Sequence, residues 1–308
     1  MEADATTPIS DTEMGYLSPL TTGDLSGPLD LSSGELRALV ERALSEDLGQ
    51  GDLTTSVTVP AGMEACGTFR SKQNLVVAGL PVAAIVFRVL KPAADWDPAL
   101  EDGTDVGPGT VLARACGPAA TLLAGERVAL NFLQHLSGVA TYARRLKEEL
   151  AGTPAEFLDT RKTTPGLRSL QKYAVRLGGG QNHRLRLDDG ILIKNNHLQL
   201  VGGIRAAVEN AKRHRPAGYH IEVEVTSLAQ LEEALVCGAD GVLLDNMTPA
   251  EVRQCVQRAA GRMRLEVSGG IDASNIRTYA ETGVDYISVG ALTHSAPAVD
   301  INFRIEPV

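Results

Sequence analysis

The chain lacks a membrane-length apolar run: no stretch reaches the ~18 residues that a span requires, so no transmembrane helix is expected. Its N-terminus has no basic region followed by an apolar one, so no secretory signal is expected either. Positive charge is in deficit, with 29 Lys and Arg against 38 Asp and Glu and a net charge of −9. That balance argues against general nucleic-acid binding, which needs cations for the phosphates. Cysteine is sparse too. Cys66, Cys116, Cys237 and Cys255 are scattered and form no CxxC pair. They read as reduced core thiols of a cytoplasmic protein, not as a metal site or a disulfide framework.

What is present is a chain of 308 residues, 44% hydrophobic, long enough for roughly two domains. Residues 1–30 hold six acids and no Lys or Arg, among many Thr, Ser, Pro and Gly. Such a segment buries too little apolar surface to offset its ordering entropy, and is expected to be a flexible acidic tail. From Ser33 the pattern turns helical: a serine cap precedes Leu36, Leu39, Val40, Ala43 and Leu44 at helical spacing. Residues 46–55, EDLGQGDLTT, read as a turn-rich connector. Residues 56–118 alternate as short strands and turns around an apolar helix over 80–90, which suggests a small α/β sandwich. A long helix over 121–150 follows. Arg127 sits near its start, where the helix dipole mildly disfavours a cation. Residues 31–150 make the expected first domain.

Beyond residue 155 the rhythm is strand, loop, helix, repeated. Strands are expected at 156–159, 191–194, 220–225, 241–244, 264–268 and 285–289. Helices are expected around 166–177, 200–214, 227–237, 249–260 and 272–282. Repeated βα units imply parallel strands with helices outside. Six strands are fewer than the eight of a closed barrel. The expected fold is therefore α/β: an N-terminal α/β sandwich plus an irregular, incomplete parallel α/β barrel of about six strands over 151–308, with a doubly wound open sheet as the alternative. The C-terminal segment is expected to return to the first domain.

In barrels the chemistry collects at the C-terminal ends of the strands. Here every candidate strand ends on a polar, charged or glycine-rich group. The first leads into Asp159, Thr160, Arg161 and Lys162, and the second ends at Lys194. The third ends at Glu222 and Glu224, and the fourth at Asp245. The fifth runs into Ser268, Gly269 and Gly270, and the sixth into Val289, Gly290 and Ala291. The stretch 159–197 carries eight cations against three acids in an acidic chain, which marks an electrostatic focus for an anionic ligand. In IEVEV, residues 221–225, alternation turns Glu222 and Glu224 to one face. Two carboxylates inside a barrel need partners. These are either Lys194 and Arg161 in internal salt bridges, or a divalent cation shared with Asp245, for which oxygen ligands suit Mg2+. The two glycine loops at the last strands suit a phosphate. His183 is open to two readings, acid–base catalyst or packing residue.

These residues resemble a known family. DTRKTTPGLRSLQKYAVRLGGGQNHR, LIKNNH, IEVEV, LLDNM, SGGI and GVDYISVGALTHS look like the quinolinate phosphoribosyltransferases. EDLGQGDLTT and GERVALNFLQHLSG extend the likeness into the first domain, so that it covers roughly residues 35–305. The resemblance implies a reaction that joins quinolinate to 5-phosphoribosyl-1-pyrophosphate and releases pyrophosphate and CO2. The product is nicotinate mononucleotide, on the route to NAD. It further implies that Arg161, Arg184 and Lys194 hold the dicarboxylate, with Thr160, Lys162 and His183 beside them. Glu224 and Asp245 are implied to bind Mg2+ or the ribose hydroxyls, with Lys162, Glu224 and Asp245 as the catalytic set. Ser268, Gly269, Gly270, Val289, Gly290, Ala291 and His294 are implied to hold phosphate. A homodimer is implied, or a hexamer built as a trimer of dimers, in which Arg127 reaches into the partner's site. The sequence departs from many relatives at Asn195, where they carry an acid. The rival readings are a phosphoribosyltransferase acting on a monocarboxylate such as nicotinate, and a non-catalytic barrel that binds phosphorylated metabolites.

Overall fold

The computed structural model describes residues 34–308; the acidic segment 1–30 and the Ser33 cap lie outside the described residues. Helix α1 (Gly34–Leu48) buries Leu36, Val40 and Leu44, the stripe that its spacing sets. Helix α2 (Leu53–Thr58) corrects the sequence reading, which had a connector there. Asp52 caps it by accepting the Thr55 N–H at 2.9 Å, so the Gly- and Asp-based turn chemistry of GQGD opens a helix. Then follow β1 (Glu64–Ser71), β2 (Leu75–Val76), α3 (Leu80–Val89), β3 (Asp95–Pro98), β4 (Asp105–Val106), β5 (Val111–Pro118) and α4 (Ala119–Glu149). Asp102 fastens the start of α3 by accepting from Gly79 N at 2.8 Å and Leu80 N at 3.0 Å.

The second half brings β6 (Glu156–Leu158), α5 (Arg168–Leu177), β7 (Ile191–Ile193), α6 (Asn195–Val201) and α7 (Ile204–His214). It continues with β8 (Ile221–Val225), α8 (Leu228–Cys237), β9 (Gly241–Asp245), α9 (Pro249–Ala259), β10 (Arg264–Ser268), α10 (Ile276–Ala280), β11 (Tyr286–Ser288), α11 (Ala291–His294) and β12 (Ile301–Pro307). The single helix expected over 200–214 is two. Gly202 and Gly203, at φ 90° and 123°, break it, because those angles end a helix and favour glycine. α10 is also shorter than the expected 272–282.

Two sheets carry the molecule. The first runs β12-β1-β5-β3, so the last strand of the chain lies beside the first. Its face packs Phe69, Phe87, Trp96 and Phe303 together, with Phe69 and Phe303 at 4.2 Å between ring centroids. The second sheet runs β6-β11-β10-β9-β8-β7 with every pairing parallel. It is the incomplete six-stranded barrel. β6 and β7 stand at its two edges, and the chain at Gln181 bridges to Leu158 along the outer side of β6. Because all six strands run the same way, their C-terminal ends share one mouth.

Helix α4, with 31 residues and a length of about 46 Å, ties the two units together. Its Gly138 lies so close to the chain before β12 that an added Cβ would stand 2.2 Å from the Pro297 carbonyl oxygen. No helix among the described residues is long and apolar enough to cross a membrane.

The cysteines need a correction. Cys66 and Cys116 are half-buried and joined by a disulfide, not reduced core thiols. They lie directly opposite each other on β1 and β5, with Cα atoms 4.1 Å apart. Fifty residues separate them in sequence, so only the strand register brings them together. Cys237 and Cys255 are free.

Candidate active site

The barrel mouth holds a cavity of about 280 Å3 lined by residues from all six strand ends. Thr160, Arg161 and Lys162 follow β6, Lys194 follows β7, Glu224 is the last but one residue of β8, Asp245 ends β9 and Ser268 ends β10. His183 and Arg184 enter from the loop between α5 and β7. Glu266, Ser288, Leu192 and Leu243 complete the lining. A larger cavity of about 780 Å3 lies against α3 and the first sheet. Its walls mix apolar residues such as Leu80, Pro81, Ile85 and Trp96 with Arg37, Arg88, Glu101, Asp102 and Tyr173, and none of them comes from a barrel-strand end.

Four of the eight cations in 159–197 line the mouth: Arg161, Lys162, Arg184 and Lys194. The others have different work. Lys172 is buried against Asp159. Arg168 braces the loop, donating to Thr163 Oγ1 at 3.0 Å and to the Leu185 carbonyl at 3.2 Å. Arg186 is exposed beside Asp188, and Arg176 is half-buried on α5. Arg184 is held by one hydrogen bond, from its guanidinium to the Gly190 carbonyl at 2.8 Å. Burial and then the neighbouring Arg161 guanidinium press the Arg184 pKa down. Arg161 carries a buried Nε with no hydrogen-bond partner. Two guanidinium groups side by side, one with an orphaned donor, form a receptor for an anion.

His183 is almost fully buried. Its Nδ1 accepts the Arg184 N–H at 2.7 Å, so the ring proton resides on Nε2. That Nε2 stands 3.4 Å from Glu222 and 3.5 Å from Glu266. Burial lowers the His183 pKa, which keeps the ring neutral. Glu222 and Glu224 share one face of β8, while Ile221, Val223 and Val225 are fully buried on the other. The expected salt bridges to Lys194 and Arg161 are not formed: among the described residues Glu222 instead faces His183, and Glu224 accepts weakly from the Asn195 N–H at 3.4 Å. Burial raises the Glu222 pKa to about 8.

Asn246 was not singled out in the sequence. It adopts φ 55°, rare for a non-glycine residue. Its Nδ2 donates to Asp245 Oδ2 at 2.9 Å, and its N–H to the Ser268 carbonyl at 2.8 Å. It also fills the space behind Gly269, where an added Cβ would lie 2.3 Å from Asn246 Oδ1. Glycine is required there twice, by that contact and by φ 110°.

Not every expected site residue reaches the cavity. Gly269, Gly270, Gly290, Ala291 and His294 follow β10 and β11 in the chain and are not among the residues lining the cavity. Lys162 and the His294 ring both approach Gly290 within about 3 Å of where a Cβ would stand. Val289 is fully buried, and its N–H donates to the Leu158 carbonyl at 2.9 Å. That amide closes β11 onto β6, so it offers nothing to a phosphate. Arg127 is exposed on α4 and is not among the residues lining the mouth of its own chain.

Known proteins resemble this chain over most of its length. Sequence models of the quinolinate phosphoribosyl transferase N-terminal and C-terminal domains match residues 52–137 and 139–304. The nicotinate-nucleotide pyrophosphorylase [carboxylating] of Mycobacterium leprae is 43% identical over 282 residues, 87% of this chain and 96% of that protein. The probable nicotinate-nucleotide pyrophosphorylase [carboxylating] of a Synechocystis strain is 41% identical over 271 residues, 86% of this chain and 91% of that protein. The solved nicotinate-nucleotide pyrophosphorylase of Francisella tularensis superposes with a TM-score of 0.84 at 37% identity, covering 88% of this chain and 96% of that one. With both domain models matched and relatives this similar over nearly their whole length, the chain belongs to the quinolinate phosphoribosyltransferase family.

Proposed function

We propose that the barrel mouth joins quinolinate to 5-phosphoribosyl-1-pyrophosphate, giving nicotinate mononucleotide, CO2 and pyrophosphate in NAD biosynthesis. The observation that carries the reading is the unpaired Arg161 beside Arg184 in a cavity that also holds Lys194, Lys162, Glu224 and Asp245. A dicarboxylate needs that surplus of cations; a monocarboxylate such as nicotinate does not.

Arg161, Arg184 and Lys194 grip the two carboxylates and fix the ring, with Thr160 and His183 beside them. Holding both reactants in one orientation is itself a large part of the rate. The ring nitrogen attacks the ribosyl carbon as pyrophosphate departs. Lys162, exposed at the rim, meets the charge that develops on the leaving group. Glu224 and Asp245 face the ribose. The ring nitrogen then bears positive charge, which favours loss of the adjacent carboxylate as CO2. Ser268, Gly269, Gly270, Gly290, Ala291 and His294 surround the sugar phosphate.

Mg2+ fits this donor set. Glu224 and Asp245 lie at the same ends of neighbouring parallel strands, and the partners of both acids are neutral N–H donors. Carboxylates that keep free oxygens suit a cation that binds largely through substrate phosphates. When bound there, Mg2+ would neutralise the pyrophosphate charge.

Arg127 belongs to the site of a second copy in a head-to-tail homodimer, the unit from which a hexamer could be built; its exposure on α4 supports this. A cytoplasmic setting suits the charged, water-soluble substrates. Turnover of quinolinate against nicotinate, with pyrophosphate and CO2 both measured, tests the reading: release of both from quinolinate alone is expected. Nicotinate turned over as fast, or pyrophosphate released without CO2, would replace it with the rival. Mixing Arg127→Ala with Arg161→Ala chains should restore part of the activity through hybrid dimers, and mixed dimers without recovery would remove Arg127 from the partner's site.

A further inference from the structure

Below the cations, the floor of the cavity holds an acid that the proposed reaction does not use. Glu266 lies in the middle of β10, is 1% exposed and lines the cavity. Among the described residues neither of its carboxyl oxygens has a hydrogen-bond partner within normal geometry, and neither has the buried Ser288 hydroxyl on the next strand. A buried, unpartnered carboxyl that faces a cavity is an interaction waiting for a ligand. The groups facing it are His183, Glu222 from β8, Asp159 at the end of β6, Ser288 and Tyr286 from β11. None of these carries a positive charge, and two are acids. His183 is neutral. Among the described residues no cation faces Glu266, and the His183 ring and the Ser288 hydroxyl offset only part of what burial costs its carboxylate.

His183, Glu222 and Glu266 bring one ligand atom each to within 4.8 Å, which resembles a metal site. The histidine argues otherwise. A metal would need the Nε2 lone pair, while Nδ1 already accepts the Arg184 N–H. Metal-bound histidine ordinarily donates from its other nitrogen.

We propose that Glu266 takes up a proton when quinolinate enters and presents the resulting O–H to the ligand at the floor of the pocket. This rests on the proposed substrate. The reason is charge. A dianion drawn in by Arg161, Arg184 and Lys194 must sit above Glu266, and a carboxylate there repels it. A protonated carboxyl turns that repulsion into a donated hydrogen bond. Burial, with Glu222 next to it, already raises the Glu266 pKa in the empty protein to about 7. A bound anion raises it further, so proton and ligand favour each other, as linkage requires.

The test is calorimetric titration of quinolinate into the full chain, in buffers of different ionisation enthalpy. At pH 8, where Glu266 is largely ionised before binding, uptake should approach one proton per quinolinate. At pH 6, where it is already protonated, uptake should fall towards zero. Above neutrality the affinity should weaken about tenfold per pH unit. In Glu266→Gln the uptake at pH 8 should drop by close to one proton and the affinity should lose most of its pH dependence, leaving only what Glu222, raised to about 8, contributes. Binding without uptake at pH 8, or uptake that persists unchanged in Glu266→Gln, overturns the proposal. Uptake confined to pH below 6 overturns it in favour of His183. The wild-type titrations alone decide the matter if the variant does not fold. Absence of any quinolinate binding would instead bring down the substrate assignment beneath it.

Discussion

Two pairs of charges lie within one stretch of chain, and they could hardly be treated more differently. Lys172 and Asp159 are both buried and wholly satisfied. The lysine donates to Asp159 and to the His183 carbonyl at 2.7 Å, while Asp159 also accepts from Asn182 and from the His183 N–H at 3.0 Å. Burial pushes Asp159 up and Lys172 down, and their mutual attraction opposes both shifts. Arg161 and Arg184 lie at the mouth with like charges together and one donor unmade. A closed network holds a loop in place; an open one leaves its interaction energy for a ligand. Here the closed network positions the open one, because His183, pinned by Asp159, is followed directly by Arg184.

The contrast can be broken at either end. Lys172→Ala should cost about 4 kcal/mol of stability, the scale of a buried pair that loses one partner, read as a lower midpoint in urea unfolding. A variant as stable as the parent would show that the pair is not the frame of the loop. Arg161→Ala should leave that midpoint unchanged while weakening quinolinate about 100-fold, roughly 3 kcal/mol, as measured by titration. Unchanged affinity would remove Arg161 from the pocket's function.

The smallest effect concerns Glu266 and its sign depends on pH. Its pKa is raised in the folded chain to about 7, so the fold prefers the neutral acid. Stability from this preference is present at low pH and is lost as pH rises from the ordinary carboxyl range through about 7. Glu266→Gln, which cannot ionise, should therefore be more stable than the parent at pH 9 by about 2 kcal/mol and similar at pH 5. Equal thermal midpoints at pH 9 would mean that the buried carboxylate is compensated after all.

Much of the barrel was legible because parallel strands buried on both faces read as apolar runs. β8 and β9 fall within one residue of the expected 220–225 and 241–244, and β10 falls on 264–268. The mouth was legible because the direction of a parallel sheet gathers the strand ends, so Lys194, Glu224, Asp245 and Ser268 could be grouped without knowing their distances. Glu266 was missed, although a lone acid inside RLEVS carries the same signal as Glu222 in IEVEV. Asn246 was missed because positive φ has no signature in a single residue type. α2 was missed because an Asp cap and an Asp turn look alike.

The sequence by itself determined the strand–helix rhythm, the polarity of the strand ends and the family, since each is written in residues near one another along the chain. Only the tertiary structure decided which cations are paired and which are left open, that Cys66 meets Cys116, and that three ionisable groups from separate elements share the barrel floor. Pairing depends on register and burial across distant segments, and a linear order of residues carries neither.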